Sequence, residues 1–247
     1  MCRPWSRRAK SVHPLGKVPA LLVDYPKSTT GSGDSFVVLE SAAINTFLGD
    51  LVREHGIIKN DRGNIRPILV PAPGTKERAK YESLVSFMMT ELDAQSLWIH
   101  RKHSDLANIF GEAPLAVKEA KRQFDNSLLV MEDEIRMDSK GECSYLLPSG
   151  FSAADILFAD CISWAKHIGW LLKNDGSVGE HDVAHKLTFP TTERDADQAS
   201  SAIQPTVMSH KLERYRAMCR SRPAWKRANQ LRKDQVAAED LQNTSKL

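Results

Sequence analysis

The chain has 247 residues, of which 41% are hydrophobic and 26% are charged, and its formal net charge is +3. These values are ordinary for a soluble globular protein, and the small net charge argues against nucleic acid as a partner. Cys2, Cys143, Cys161 and Cys219 have no regular spacing, which argues against a zinc or redox motif and indicates free thiols in a reducing compartment. No apolar run approaches the roughly 20 residues that a membrane span needs, so we expect a cytoplasmic protein without a membrane partner.

The first regular elements are predicted between residues 18 and 53. Residues 18–23 (VPALLV) are apolar, and their proline suits the start of a strand because it cannot donate a ladder hydrogen bond. A polar turn at residues 28–35 leads to a second short strand at 36–39. Apolar residues on one side of the segment from Ser41 to Val52 then predict a helix.

Amphipathic helices are predicted after a Gly- and Pro-rich linker at residues 56–75. Between residues 76 and 107, and again between 114 and 137, apolar residues recur every three or four positions. This spacing is typical of helices with one buried face. The stripe predicted for the second helix contains Ala116, Ala120, Phe124, Leu128, Met131 and Ile135.

The segment from residue 151 to residue 172 is predicted to be the most buried helix. Ser152 lies at its start and Asp155 follows three positions later, which is the spacing of a structural capping box. Residues 156–168 are apolar almost all round, as in the central helix of a bundle.

The last quarter of the chain is predicted to contain a polar loop and two helices. Residues 173–203 are too polar to form a core, so we interpret them as a long loop or disordered insertion. Helices are expected again at about 206–219 and 223–240, the second beginning at Pro223, where proline is tolerated.

Four features together resemble the cytosolic glutathione transferase family. They are the strand–hairpin–helix frame of residues 16–44, and the segments FSAADI (151–156), SRPA (221–224) and TELDAQSLWIHRKH (90–103). The resemblance implies a fold of class α/β plus all-α. It comprises a partial thioredoxin-like, glutathione-binding domain (1–55), a linker (56–75) and a helical C-terminal domain (76–240) with a polar insertion at about 173–203.

The resemblance also implies a glutathione site in the first domain. Val18 precedes Pro19 and is therefore biased towards extended backbone, so its N–H and C=O groups can pair with an extended peptide as an added strand. The Val18–Pro19 bond is cis in the family. The helix N-terminus at Ser41 attracts a carboxylate, which by resemblance is the γ-glutamyl carboxylate. Glu40 would hold the amino group and Lys17 the glycyl carboxylate.

The catalytic residue remains unknown at this stage. In the family the thiol-activating tyrosine, serine or cysteine comes before the Val-Pro pair, after a first strand. Only 18 residues precede Pro19, fewer than the roughly 25–30 that a strand, helix and strand need. Cys2, Ser6 and Ser11 do not match the family position, so we expect a truncated first domain.

Three functions stay open on the sequence alone. The first is a glutathione transferase that conjugates the glutathione thiolate to hydrophobic electrophiles, with glutathione as co-substrate and a homodimeric assembly implied by the family. The second is a non-catalytic transferase-like binding or protein-interaction module. The third is a helical scaffold with a vestigial first domain. Trp98, Phe110 and Trp164 are our candidates for the pocket of the electrophile.

Two pairs of histidines have spacings that metal sites use. His100 and His103 are one helical turn apart, and His181 and His185 are four positions apart. No carboxylate or cysteine completes either pair in a recognisable spacing. We therefore expect surface histidines and no metal site.

Overall fold

The computed structural model describes residues 12–24, 35–54, 68–174 and 203–244, without the side chains of 235–244. Internal contacts divide the chain into two units. Unit 1 comprises Met1–Arg78 with Pro223–Leu247, and unit 2 comprises Ala79–Arg222. The predicted domain bounds at residues 55, 75 and 240 stay a prediction.

The elements follow one another in an order close to the predicted one. They are β1 (Ala20–Asp24), β2 (Ser35–Leu39), α1 (Ser41–Glu54), α2 (Lys76–Phe87), a π-helical segment (Met88–Leu97), α3 (Trp98–His100), a second π-helical segment (Arg101–Asp105), α4 (Ala107–Phe110), α5 (Pro114–Glu134), α6 (Ala153–His167), β3 (Leu171–Leu172), β4 (Thr206–Val207), α7 (His210–Ser221) and α8 (Pro223–Thr244). No helix of the described residues combines the length and the apolar character that crossing a membrane requires.

Unit 1 contains the predicted hairpin with its helix. β1 and β2 are antiparallel, and Ala20 pairs with Leu39 while Val23 pairs with Phe36. The ring of Phe36 meets Phe47 of α1 edge to face, with centroids 5.7 Å apart. One face of the hairpin therefore packs on α1.

The segment around Val70 is bound to α1 within unit 1. Arg53 Nη1 donates to the carbonyl oxygen of Val70 at 3.2 Å, and Arg78 Nη1 donates to that of Pro71 at 3.1 Å. Both arginines also bind Asp50, at 2.7 and 2.9 Å. This network ties α1, residues 70–71 and the first turn of α2 together.

Unit 2 is a helical bundle with one face of each long helix in its core. The buried residues include Tyr81, Leu84 and Val85 of α2, Met88 and Leu92 after it, Val117, Ala120, Phe124, Leu128 and Met131 of α5, Phe158, Ala159, Ile162 and Ala165 of α6, and Leu212 and Tyr215 of α7. Most of the predicted α5 stripe is thus confirmed, but Ala116 is exposed and Val117 is buried instead.

The helix predicted from residue 206 begins later than expected. Thr206 and Val207 form β4, because the Thr206 N–H donates to the Trp170 carbonyl oxygen at 2.9 Å and extends a parallel pairing with β3. The helix starts at His210, after Ser209, whose hydroxyl accepts the Leu212 N–H at 3.1 Å. The predicted polar insertion falls largely outside the described residues.

Candidate functional site

The residues predicted to bind glutathione lie at one end of the hairpin. Ala20 and Leu39 form the terminal pair of the β1–β2 ladder. Pro19 immediately precedes Ala20 and Glu40 immediately follows Leu39, so both residues lie at this end of the hairpin. The Val18–Pro19 peptide bond is cis, as the resemblance implies. Lys17, Val18, Pro19 and Glu40 are exposed and Ser41 is half-buried. Register therefore brings the two halves of the predicted site together.

Glu40 has an unusual backbone conformation. Its φ is +70°, and no other non-glycine residue of the described chain has a positive φ. Side chains with a Cβ rarely adopt this region, and such residues cluster at functional sites. The Glu40 carbonyl oxygen accepts the Ile44 N–H at 2.9 Å, so Glu40 occupies the cap position of α1 and Ser41 is its first helical residue.

The end of the hairpin offers groups suited to a zwitterionic peptide. The N–H groups of Ser41, Ala42 and Ala43 precede the first main-chain bond of α1 and have no helical carbonyl to donate to. Together with the helix dipole they favour an anion. The Glu40 carboxylate, next to Ser41, and the Lys17 ammonium, two residues before Pro19, carry one charge of each sign. This arrangement can bind an extended ligand that carries carboxylates and an amino group.

The capping residues predicted in unit 2 cap a helix as expected. Ser152 and Asp155 form a capping box at the start of α6, and the N–H and hydroxyl of Ser152 both donate to Oδ2 of Asp155 at 2.8 Å. Oδ1 accepts the Leu146 N–H at 3.0 Å and the Tyr215 hydroxyl at 2.8 Å. Asp155 is fully buried and its carboxylate joins α6, α7 and the loop before α6.

The described cysteines are poor nucleophiles. Burial, followed by the charge of Asp155, raises the pKa of Cys219 to about 12. Burial also raises the pKa of Cys161 above its usual range, with Asp93 and Asp160 adding to the effect. The pKa of Cys143 is raised as well, mainly by burial. Since the thiolate is the reactive form, these thiols are suited to packing more than to catalysis.

The prediction that His100 lies on the surface is wrong. Only 5% of this residue is exposed, and its ring packs edge to face on Trp170 with centroids 5.3 Å apart. Its Nδ1 atom has no hydrogen-bond partner among the described residues. Burial lowers the pKa of His100, although the charge of Asp105 opposes this shift. His100 lies between two π-helical segments, Met88–Leu97 and Arg101–Asp105, and in such segments the α-helical period of 3.6 residues does not apply.

His103 is the second histidine of the first pair, and His181 and His185 form the other pair. His103 lies beside the carbonyl oxygen of Gly111, with its Nδ1 at 2.8 Å, and His181 and His185 lie outside the described residues. Across the described parts of the chain, no three metal-binding side chains come together. Cys2, Ser6 and Ser11 also lie outside these parts.

Two of the three candidate pocket residues share a neighbour. The guanidinium carbon of Arg101 lies 5.2 Å from the ring centroid of Trp98 and 5.9 Å from that of Trp164. Phe110 is exposed at the end of α4. Sequence reasoning missed the contact of Arg101 with these rings, although Arg101 follows Trp98 by three positions, a spacing at which residues are neighbours on a helix.

Comparisons with known proteins identify the fold. No protein-family model matches the sequence, and no curated protein matches it. The glutathione transferase URE2P5 from Phanerochaete chrysosporium superposes with a TM-score of 0.57 and 14% identity, over 96% of this chain and 81% of that chain. The glutathione transferase URE2P8 of the same organism, with oxidised glutathione, has a TM-score of 0.52 and 18% identity, over 95% and 80%.

A third solved structure agrees with these two. The glutathione transferase homolog from Lodderomyces elongisporus, with two GSH per subunit, has a TM-score of 0.51 and 15% identity, covering 67% of this chain and 68% of that chain. The chain therefore has a glutathione-transferase-type fold, with a partial thioredoxin-like part followed by an all-helical part.

Proposed function

We propose that this chain binds glutathione through Lys17, Val18, Pro19, Glu40 and Ser41, and that it conjugates the glutathione thiolate to hydrophobic electrophiles. The observation that carries the proposal is the register of the hairpin, which puts the exposed Val18 backbone and the N-terminus of α1 at the same end. The left-handed conformation of Glu40 at this point supports it. Two of the similar proteins were crystallised with forms of glutathione.

The binding mode follows from the chemistry of the ligand. The main chain of Val18 pairs with the peptide part of glutathione, as an added strand does. The γ-glutamyl carboxylate accepts hydrogen bonds at the start of α1, from the Ser41 N–H and hydroxyl. Its amino group binds the carboxylate of Glu40, and the glycyl carboxylate binds Lys17.

A second candidate function is glutathione binding without catalysis. Among the described residues of unit 1 there is no tyrosine and no cysteine, and the serines are Ser35 and Ser41. Ser41 is committed to the carboxylate in the proposed binding mode. This composition favours a binding module over a transferase whose thiol-activating group lies in the described part of unit 1.

The wider setting of the protein is also proposed by resemblance. We propose a cytoplasmic homodimer in which α1 and the helix that begins at Lys76 face the partner subunit, with a role in detoxification. The domain bounds 1–55, 56–75 and 76–240 belong to the same proposal. Gel filtration with light scattering at several protein concentrations tests the dimer. A strictly monomeric mass at the highest concentration would contradict the proposed homodimer.

One experiment decides between the two functions. Reduced glutathione, added at about one hundred times its dissociation constant, should stabilise the full chain by about 2.7 kcal/mol through mass action. Formation of the thioether from 1-chloro-2,4-dinitrobenzene is measured on the same sample. A thermal shift with turnover supports the transferase, and a shift without turnover supports the binding module.

Matched variants localise the site. Ser41→Ala should weaken glutathione binding by about tenfold, because a hydrogen bond to a charged group is lost. Ser83→Ala removes an exposed serine of α2 whose hydroxyl bonds only its own helix, and it should leave the affinity unchanged. Absence of a shift in the parent chain would overturn both functions.

A further inference from the structure

A tight turn in unit 1 comes directly before the residues proposed to bind glutathione. The carbonyl oxygen of His13 accepts the Gly16 N–H at 2.8 Å, so residues 13–16 form a β-turn with Pro14 in its second place. Proline is favoured in that place and glycine in the fourth. Gly16 is buried and its φ is +65°, a conformation that glycine adopts without strain.

The ring of His13 stabilises the same turn. Its Nδ1 atom accepts the Leu15 N–H at 3.0 Å, and only 5% of His13 is exposed. Asparagine and aspartate at the first place of a turn make the equivalent bond, from a side-chain oxygen to the N–H two residues on. Because the acceptor nitrogen carries no proton, the ring that makes this bond is neutral and has its proton on Nε2.

The turn determines how the chain enters the proposed site. Residues 17–19 belong to no helix or strand, and they connect Gly16 to the start of β1 at Ala20. Val18 is 60% exposed, so the packing of its own side chain does little to fix it. The backbone of this short segment is therefore held by the turn at one end and by the β1–β2 ladder at the other.

We propose that His13 is a positioning residue for glutathione binding. Its neutral ring holds the turn in the shape that presents the Lys17 ammonium and the Val18 main chain to the ligand. A segment that is already fixed in its bound conformation loses less conformational entropy on binding, which raises affinity. The inference rests on the proposed function, and in it His13 does not touch glutathione.

The competing interpretation is that His13 only stabilises unit 1. Its replacement would then lower the melting temperature, but a folded variant would lose affinity for every ligand of the site by the same factor or not at all. Positioning by His13 concerns the half of the site formed by residues 17–19. It does not concern the half formed by Glu40 and Ser41, and this difference gives the test.

Isothermal titration of the full chain with two ligands separates the two halves of the site. The ligands are reduced glutathione and γ-glutamylcysteine, which lacks the glycyl residue that Lys17 is proposed to bind. We expect the parent chain to bind glutathione about tenfold more tightly, because a charge-assisted bond is added. His13→Leu should weaken glutathione by about tenfold and γ-glutamylcysteine by about threefold at most, so that most of this preference disappears.

A conservative variant should restore the binding. The amide oxygen of His13→Asn can accept the N–H two residues on, so this variant should bind glutathione within about threefold of the parent and keep its preference over γ-glutamylcysteine. Leu15→Ala is the matched control, since it removes an exposed side chain of the same turn and keeps the N–H. It should leave both affinities unchanged.

Folding of each variant is checked by its melting curve without ligand. If His13→Leu does not fold, His13→Gln replaces it. The amide of glutamine is one methylene further from the main chain and is poorly placed for the bond within the turn. His13→Gln should therefore bind glutathione more weakly than His13→Asn, and equal affinities of these two variants would contradict the proposal.

The outcomes distinguish this inference from the proposed function. Absence of glutathione binding by the parent chain would overturn both. Binding that Ser41→Ala weakens and a folded His13→Leu does not weaken would support the glutathione site and refute the role of His13. An equal loss of both ligands in His13→Leu, or no recovery in His13→Asn, would also refute it.

Discussion

The hydroxyl of Tyr215 on α7 donates a 2.8 Å hydrogen bond to Oδ1 of Asp155 at the start of α6, and both residues are fully buried. Burial, followed by the negative charge of Asp155, raises the pKa of Tyr215 well above its usual value. Tyr215 therefore stays protonated at neutral pH and donates to Asp155. The carboxylate accepts four hydrogen bonds from three parts of unit 2, which makes it a centre of the bundle.

Removal of this carboxylate should be severely destabilising. A lost helix cap alone costs about 1 kcal/mol, but Asp155→Ala also leaves the donors of Leu146, Ser152 and Tyr215 buried without an acceptor. We expect a loss of about 3 kcal/mol or more in the free energy of unfolding, measured by urea denaturation. Tyr215→Phe should cost about 1–2 kcal/mol because it removes one of the four bonds. Asp160→Ala, at an exposed position of α6, is the control, and an equal loss there would contradict the assignment.

The stability of unit 2 should depend on the protonation of His100. Its folded-state pKa lies below the usual 6.5 because burial disfavours the charged ring. The neutral ring is therefore the form that the fold accommodates, and its contribution is complete above about pH 6.5 and declines as the pH falls towards the lower folded-state pKa. His100→Phe keeps a ring against Trp170 and removes the titration. It should make the urea midpoint less dependent on pH between about 7.5 and 5.5.

A control separates titration from packing in this experiment. Phe124 also contacts Trp170, with centroids 5.5 Å apart, and Phe124→Leu disturbs the same cluster without removing an ionisable group. It should lower stability by a similar amount at both pH values and keep the slope of the parent. Parallel pH dependences of the parent and His100→Phe would count against the His100 assignment.

Gly49 should not tolerate a methyl group. A Cβ atom at this position would lie 2.3 Å from Cγ2 and 3.0 Å from Cβ of Val70, which is fully buried. Helix propensity alone favours alanine by about 1 kcal/mol. Overpacking of this kind costs about 1–3 kcal/mol, so we expect Gly49→Ala to destabilise unit 1. The change is followed by urea denaturation and by the glutathione-induced thermal shift.

The double variant Gly49→Ala, Val70→Ala checks the cause of that loss. Removal of the two Val70 methyl groups opens the space that the new methyl group needs. The double variant should therefore be more stable than the sum of the two single changes predicts. A Gly49→Ala protein that is more stable than the parent would show that Val70 moves aside without a loss in the free energy of unfolding.

Substitution of Glu40 should separate stability from binding. Glycine adopts a φ of +70° without the strain that a Cβ brings, so Glu40→Gly should keep or slightly raise the melting temperature. The same variant loses the carboxylate proposed to hold the amino group of glutathione, and its affinity should fall by about tenfold. Glu54→Gly at the exposed last residue of α1 is the comparison for a lost charge. If Glu40→Gly bound glutathione as tightly as the parent chain, Glu40 would not be part of the site.

Local sequence patterns determined the hairpin, its helix and the capping box of α6. These features depend on residues a few positions apart, such as Ser152 and Asp155, whose interaction the spacing alone makes possible. The same patterns identified the residues that we propose for glutathione binding, because Val18 next to Pro19 and Glu40 before Ser41 are short motifs. Their meeting at one end of the hairpin required the register of β1 and β2.

Only the tertiary structure decided which residues meet across the chain. Asp155 accepts a hydrogen bond from Tyr215, sixty positions away. Val70 leaves no space for a side chain at Gly49. Thr206 belongs to a strand because its N–H donates to the carbonyl oxygen of Trp170. His100 is buried with its ring against Trp170, seventy positions away. Periodicity indicates that a helix has a buried face, but which partners that face meets depends on packing between segments far apart in sequence.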